Sequence, residues 1–397
     1  MSTTQPPTPQ LLLAAARAEQ PRFRGDLARI VNIDSGSYDA AGVNRVGEWA
    51  AKALTADGFD VEILETAEID GDRFGSVVAA TKRGSGTARI VLFAHLDTVF
   101  PEGTAAARPY SEYGRRAFGP GVCDDAAGIA AALTAARVLT ETRFDGYKEL
   151  VIVLTPDEEI GSPASRDLLA SIVAGADAAL CMECARENGD LVAARMGVAD
   201  VLVQITGRAA HSGVEPERGI DAAIEAARFV LDAHALARPE EGLIVNVGRI
   251  EAGDRANIVP GQATLHLEVR STRTEALLGA LDALDARAEH PVVEGAAIAV
   301  TRLDVCPPLE RSSTEALAGM AARVAEGLGL RAGFSATGGA SDANFVAALG
   351  VPTLDGLGPI GGADHSPDEW IDLASVPDRV AMLAGLVIAV CEQDSLR

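Results

Sequence analysis

The chain has 397 residues, room for two or three domains, and its 48% hydrophobic and 23% charged content is that of an ordinary soluble globular protein. Its 57 acidic against 34 basic residues give a formal net charge of −23, which excludes a nucleic-acid backbone as partner and obliges any anionic substrate to find local arginines. The start MSTTQPPTPQLLLAAARAEQ lacks the basic opening of a signal peptide, and no run approaches the roughly 18 apolar residues of a membrane span, so a soluble, cytoplasmic protein without a membrane partner is expected.

Along the chain, a flexible lead-in is expected only in the first ten residues. Residues 43–54 then read as a helix, 61–64 and 76–81 as strands, and 90–94 as a buried apolar strand. An alanine-rich helix over 128–139, a strand over 150–155, a helix and a strand over 178–182 follow. This alternation predicts an α/β layer with a mixed, largely parallel sheet flanked by helices. The middle changes character. Strand 198–206, helix 219–236, strands 243–250 and 262–271, helix 274–290 and strand 296–303 give β-α-β-β-α-β, the order of a ferredoxin-like α+β unit. It reads as an insertion hinged near Gly197 and Cys306, so residues 1–197 and 306–397 would form one domain and 198–305 another. The chain then returns with a helix over 314–328, a loop over 336–342, a short helix over 343–349, a strand over 351–357 and a closing helix over 376–391.

Short motifs carry the chemistry, each at the end of an apolar run: HLDTVFPEGT (95–104), GPGVCDDAAG (119–128), TPDEEIGS (155–162), CMECA (181–185) and GGADHSPDEW (361–370). His95, Asp124, Glu158, Glu159, Glu183 and His365 offer the imidazole and carboxylate groups that zinc takes when thiolate is absent. A carboxylate has two oxygens and can bridge two metals, so metal-assisted hydrolysis is the chemistry suggested. Taken singly, each motif has a bland reading. Asp97 is the natural partner for the second nitrogen of a metal-bound His95, though His95 alone reads equally as a hydrogen-bonded loop histidine. Asp124 alone reads first as a helix cap. GPGVCDDAAG lacks the lysine and hydroxyl of a phosphate loop. Of the adjacent Glu158 and Glu159, one could hold metal while the other takes a proton, or both could be solvated loop acids. The five cysteines are too few and scattered for a disulfide framework, and the lone CxxC at 181–184 favours ordinary reduced thiols.

The order and spacing of these motifs resemble the dizinc metallopeptidase and amidohydrolase family that includes glutamate carboxypeptidases, succinyl-diaminopimelate desuccinylase, acetylornithine deacetylase and aminoacylases. The likeness runs from about residue 25 to 390. TGGASDANFVAALGVPTLDGLGP (337–359) and HSPDEWIDL (365–373) look most like the glutamate carboxypeptidase branch. The resemblance implies that His95 and Glu183 bind one zinc, that Glu159 and His365 bind the other, and that Asp124 bridges them. Cobalt or manganese would serve the same ligands. It further implies Glu158 as general acid/base and the ferredoxin-like insertion as a lid and homodimer interface; Asp97, as the partner of His95, counts with the catalytic residues. His211 in GRAAHSGVEPERG (207–219) resembles the lid histidine that reaches a partner's site. Asn257 and Arg270 in DRANIVPGQATLHLEVR (254–270) resemble residues holding the substrate's carboxylate end, although a strand arginine could equally face solvent. Gly338 and Gly339 would line the same pocket. Ala126 and Met196 stand where relatives tend to have lysine, and Cys184 where they have proline. None of these changes removes a ligand, but two absent cations weaken any transfer of glutamate specificity. The implied activity is release of C-terminal glutamate or a similar amino acid from a small peptide. The alternatives are an N-acyl-amino-acid amidohydrolase and, from another class, a metal-dependent binding protein without catalysis.

Overall fold

The computed structural model describes residues 6–393. They divide into two compact units. Ala194–Glu310 with Thr337–Ala340 form one, slightly wider than 198–305, and the remaining described residues form the other.

The larger unit opens with helix α1 (Pro9–Val31), so the expected flexible lead-in is corrected from residue 9 onward; residues 1–5 lie outside the described part. Thr8 caps the helix by accepting from the Leu11 amide. Leu12, Ala16, Phe23, Leu27 and Ile30 recur at helical spacing and are buried, while Pro21 sits on the solvent side. Next come α2 (Ala40–Ala56), β1 (Asp60–Leu64), β2 (Val77–Arg83), β3 (Arg89–His95), α3 (Ala127–Glu141), β4 (Glu149–Thr155), α4 (Arg166–Val173) and β5 (Ala178–Cys181). The sheet order is β1-β2-β4-β3-β5, with Thr353–Leu354 added beside β5. β1–β2 and β2–β4 pair antiparallel; β4–β3, β3–β5 and the Thr353–Leu354 pairing are parallel. β3 and β4 are buried along almost their whole length, as central strands covered on both faces must be. Their last residues, His95 and Thr155, are register partners, so the loops beyond them emerge side by side. The strand expected over 351–357 shrinks to Thr353–Leu354, because Pro352 has no amide to give and Gly356, at φ 70°, turns the chain. Among the described residues no helix is long and apolar enough to cross a membrane.

The second unit runs β6 (Gly197–Thr206), α5 (Ala222–His234), β7 (Leu243–Ala252), β8 (Gln262–Ser271), α6 (Thr274–Ala288) and β9 (Ala297–Cys306). Its antiparallel sheet has the order β7-β8-β6-β9, the split βαβ sandwich. Ala199, Val201, Val203 and Ile205 alternate inward along β6 and meet Phe229, Leu277, Leu281 and Leu284 in a core separate from that of the larger unit. Helix α5 begins three residues later than expected, since Pro216–Arg218 forms a 3-10 turn and Asp221 caps Ala223 and Ile224. At the stem, Arg195 and Leu309 exchange both backbone hydrogen bonds, at 3.0 and 3.1 Å.

Candidate metal centre

The centre is built at the C-terminal ends of β3, β4 and β5, where open α/β sheets place their ligands. His95 closes β3 with its ring buried. Its Nδ1 lies 3.0 Å from the Asp97 carbonyl and 3.3 Å from Asp97 Oδ1. That leaves Nε2 facing Asp124 Oδ1 at 2.8 Å and Glu183 Oε1 at 3.6 Å. Asp97 is fully buried and serves more than the imidazole. Ser37 Oγ donates to its Oδ2 at 2.7 Å, and the amides of Glu158 and Glu159 donate to its two oxygens at 3.1 and 3.2 Å. One carboxylate thereby ties the loop after β3 to the loop after β4.

Asp124 lies in the irregular turn Val122–Ala126 that precedes α3. Gly121 enters it at φ 66°, and a Cβ there would come within 2.5 Å of Thr98 Cγ2. Asp124 Oδ2 is 3.1 Å from His365 Nε2, which is itself 3.0 Å from Glu159 Oε2. The two oxygens of Asp124 therefore address two different imidazoles. His365 adopts φ 60° in the glycine-rich loop and is about half exposed, unlike His95. Glu183 follows β5, whose end is fixed by the Met182 amide donating to Phe93 O and by Gly358 donating to Glu183 O.

Charge is badly balanced here. Asp124, Glu158, Glu159 and Glu183 surround two imidazoles. Hydrogen bonds donated by His365 to Asp124 and Glu159 push its pKa up to about 11. Burial works against a proton on His95, yet Asp124 and Asp97 hold its pKa well above the ordinary imidazole value. Burial would raise Asp124, but His365 and His95 pull it below the usual carboxylate range. Burial drives Glu158 well up against the opposing pull of His95, and raises Glu159 against that of His365. Glu159 Oε1 is buried without a hydrogen-bond partner. Ligand atoms of His95, Glu158 and Glu183 lie within 4.8 Å of one another, as do those of His95, Asp124 and Glu159. Crowded carboxylates, imidazoles held by acids and an orphaned carboxylate oxygen all suit cations at this place.

Three bracing residues escaped the sequence reading. Glu369 accepts from the amides of Gly121, Cys123 and Asp124 at 3.0, 2.8 and 3.0 Å, and burial pushes its carboxyl up to about 8 against those three donors. Asp342 accepts from Thr155 Oγ1 at 2.8 Å and from Ser162 Oγ, bracing both sides of the Glu158–Glu159 turn. Asp157 accepts from Ala164 N at 2.7 Å and from Ser165 Oγ. The clustering of acids in TPDEEIGS and HSPDEW hinted at Asp157 and Glu369, and nothing comparable marks Asp342. The cysteines are all free, and Cys184 Sγ donates to the Cys123 carbonyl at 2.9 Å.

The remaining expected site residues lie in the second unit. His211 pairs with Ile258 in a short two-stranded antiparallel ribbon, and Ser212 N donates to Asn257 O at 3.1 Å. His211 Nδ1 accepts from Gly213 N at 3.2 Å, so the neutral ring carries its proton on Nε2. Arg270 does not simply face solvent. Its Nε and Nη2 clasp Glu268 at 2.7 and 2.9 Å, and Nη1 donates to Gly338 O at 2.7 Å. Gly339 O accepts from Arg195 Nη1 at 3.3 Å.

A mixed α/β sheet with helices on its flanks, ending in this cluster of acids and imidazoles, defines a metal-dependent peptidase or amidohydrolase. Residues 91–389 match the Peptidase family M20/M25/M40, and the chain belongs to that family. It is 32% identical over 382 residues to Carboxypeptidase G2 of Pseudomonas sp. (strain RS-16), covering 95% of this chain and 91% of the relative. It is also 29% identical over 263 residues to the acetylornithine deacetylase of Myxococcus xanthus, covering 63% and 67%. In fold it resembles aminopeptidase PepT from Bacillus cereus, with a TM-score of 0.76 at 24% identity, over 94% of this chain and 99% of that one.

Proposed function

We propose that the protein is a dizinc hydrolase that cleaves an amide bond next to a free α-carboxylate, most simply as a carboxypeptidase releasing C-terminal glutamate or a similar residue. The observation that carries the dizinc reading is the placing of Asp124, one oxygen toward His95 and the other toward His365. His95 and Glu183 would hold one ion, Glu159 and His365 the other, with Asp124 shared; zinc suits this donor set, and cobalt or manganese fits it too. When bound, such a pair supplies Lewis acidity toward the scissile carbonyl and makes water acidic enough to lose a proton near neutral pH. Glu158, whose carboxylate lies within 4.8 Å of the ligand atoms of His95 and Glu183, would take that proton and deliver it to the leaving amine. Asp97 keeps Glu158 in place through its amide and sets the tautomer of His95. In this reading the second unit is a lid and homodimer interface, His211 donates through Nε2 to the developing oxyanion, and Asn257 and Arg270, beside Gly338 and Gly339, hold the substrate carboxylate. The protein would act in the cytoplasm.

Carboxypeptidase action is supported by the likeness to Carboxypeptidase G2 over nearly the full length of both chains. An N-acyl-amino-acid amidohydrolase is the second reading, favoured by the likeness to acetylornithine deacetylase and by Ala126 and Met196, which supply no cation for an acidic side chain. Initial rates of the zinc-loaded protein on folate-like glutamate conjugates and dipeptides, against N-acetyl and longer N-acyl amino acids, decide between them. Faster turnover of the N-acyl series would replace the first reading by the second.

A further inference from the structure

We infer that Glu369 is a positioning residue for the metal centre, the side chain that holds Asp124 in its bridging attitude. The inference rests on the dizinc reading and adds to it a residue outside the ligand set. Glu369 is 1% exposed, so its carboxylate is committed to interior partners. Oε1 accepts from the amides of Cys123 and Asp124, and Oε2 from that of Gly121. Those amides belong to a turn that cannot satisfy them in regular fashion. Asp124 sits at φ −113°, ψ 92° and Asp125 at φ −127°, ψ 29°, outside helical values. Buried amides need acceptors, and here one carboxylate serves three of them.

The place of Glu369 in the chain matters as much as its contacts. It lies four residues after His365 and immediately before Trp370–Asp372, a strand that pairs with Arg116–Phe118. That pairing sets Trp370 opposite Phe118, three residues before Gly121, so the backbone of the His365 loop is anchored beside the Asp124 turn. Glu369 then closes the remaining gap. Through it, the loop bearing one end ligand and the loop bearing the shared ligand move as one piece. The spacings of 2.8 Å from Asp124 to His95 and 3.1 Å from Asp124 to His365 depend on that rigidity. Asp97 performs the equivalent task for the Glu158–Glu159 loop.

Glu369→Gln tests the assignment. Glutamine keeps the shape but brings an NH2 group against backbone N–H groups, so it can accept with one oxygen only. The zinc affinity of full-length protein is measured by competition with a chromophoric chelator, alongside thermal unfolding of the metal-free form. Zinc affinity is expected to fall about 10–100-fold, the usual effect of an outer partner of a metal ligand, with the fold retained. A merely structural role would lower the unfolding temperature and leave zinc affinity within about threefold of wild type, and that result overturns the inference. If the glutamine variant does not fold, Glu369→Asp takes its place: the shorter acid keeps the charge but cannot span all three amides, and unchanged zinc affinity there overturns the inference equally. The wild-type stoichiometry reports separately on the dizinc reading. Fewer than two zinc ions in wild type counts against that reading, while the ratio of variant to wild-type affinity judges Glu369.

Discussion

Glu158 and Glu159 are neighbours in sequence, yet the proposed mechanism gives them opposite tasks, and exchanging each in turn separates them. Glu159 Oε2 is 3.0 Å from His365 Nε2, and its side chain is 4% exposed, locked among the expected ligands. Glu158 is held through its backbone amide by Asp97, a contact that survives any change of side chain. Burial raises the pKa of its carboxyl, which suits it to accept a proton. Glu158→Gln should therefore keep both zinc ions. Turnover should fall by about 10²–10⁴-fold, the usual worth of general acid–base catalysis, or ~2.7–5.4 kcal/mol of barrier. Glu159→Ala should bind one zinc, since the ion beside His365 loses one of its two unshared protein ligands. Each variant is stripped, reloaded with zinc, gel-filtered, and read for metal content and initial rate on the preferred substrate. A Glu158→Gln protein that has lost metal, beside a Glu159→Ala protein that has kept two ions, would refute the division of roles.

Two further outcomes are expected. In the metal-free protein both imidazoles hold protons at pH 7, since His365 lies near 11 and His95 well above its ordinary value. Zinc must displace them, so loading should release about two protons per chain, and apparent affinity should rise between pH 6 and 8 by about one log unit per pH unit for each proton displaced. Calorimetry in buffers of different ionisation enthalpy measures the release, and a buffer-independent heat would contradict it. For His211, His211→Ala should remain fully metallated but lose about 10²–10³-fold in kcat as an oxyanion donor. Mixed with Glu158→Gln under verified subunit exchange, it should recover toward about a quarter of wild-type activity if the histidine serves the partner's site. No recovery would place its action within its own chain or remove it from catalysis.

The sequence was most readable where the information was local. β3, β4 and β5 are apolar runs whose ends fall at His95, the Glu158–Glu159 turn and Glu183, so candidate ligands could be picked from strand endings alone. The order of strands and helices over 198–303 likewise displayed the four-stranded unit. What could not be read was pairing across long stretches of chain. Glu369 reaches residues 245 to 248 positions away, and Asp342 reaches Ser162 and Thr155, 180 and 187 positions away. No periodicity announces such contacts. Helix α1 was missed for another reason. Prolines at 6, 7, 9 and 21 suggest broken structure, but Pro9 occupies the first turn, where no amide is needed, and Pro21 lies on the exposed side while Phe23 and Leu27 anchor the buried one.

The paired stem of the second unit bears on how the chain finds its fold. Arg195 and Leu309 are 114 positions apart, yet they are held together by two reciprocal backbone hydrogen bonds. Once the β6–β9 unit has collapsed on its own apolar centre, the flanking segments are joined as if by a tight turn. The entropy of closing a loop of that length is then met inside the insertion, and the larger unit behaves during folding like a much shorter polypeptide. A single-chain protein missing the insertion, with a few residues linking position 193 to 311, should for that reason still collapse, whereas damage to the stem should slow the folding of both parts.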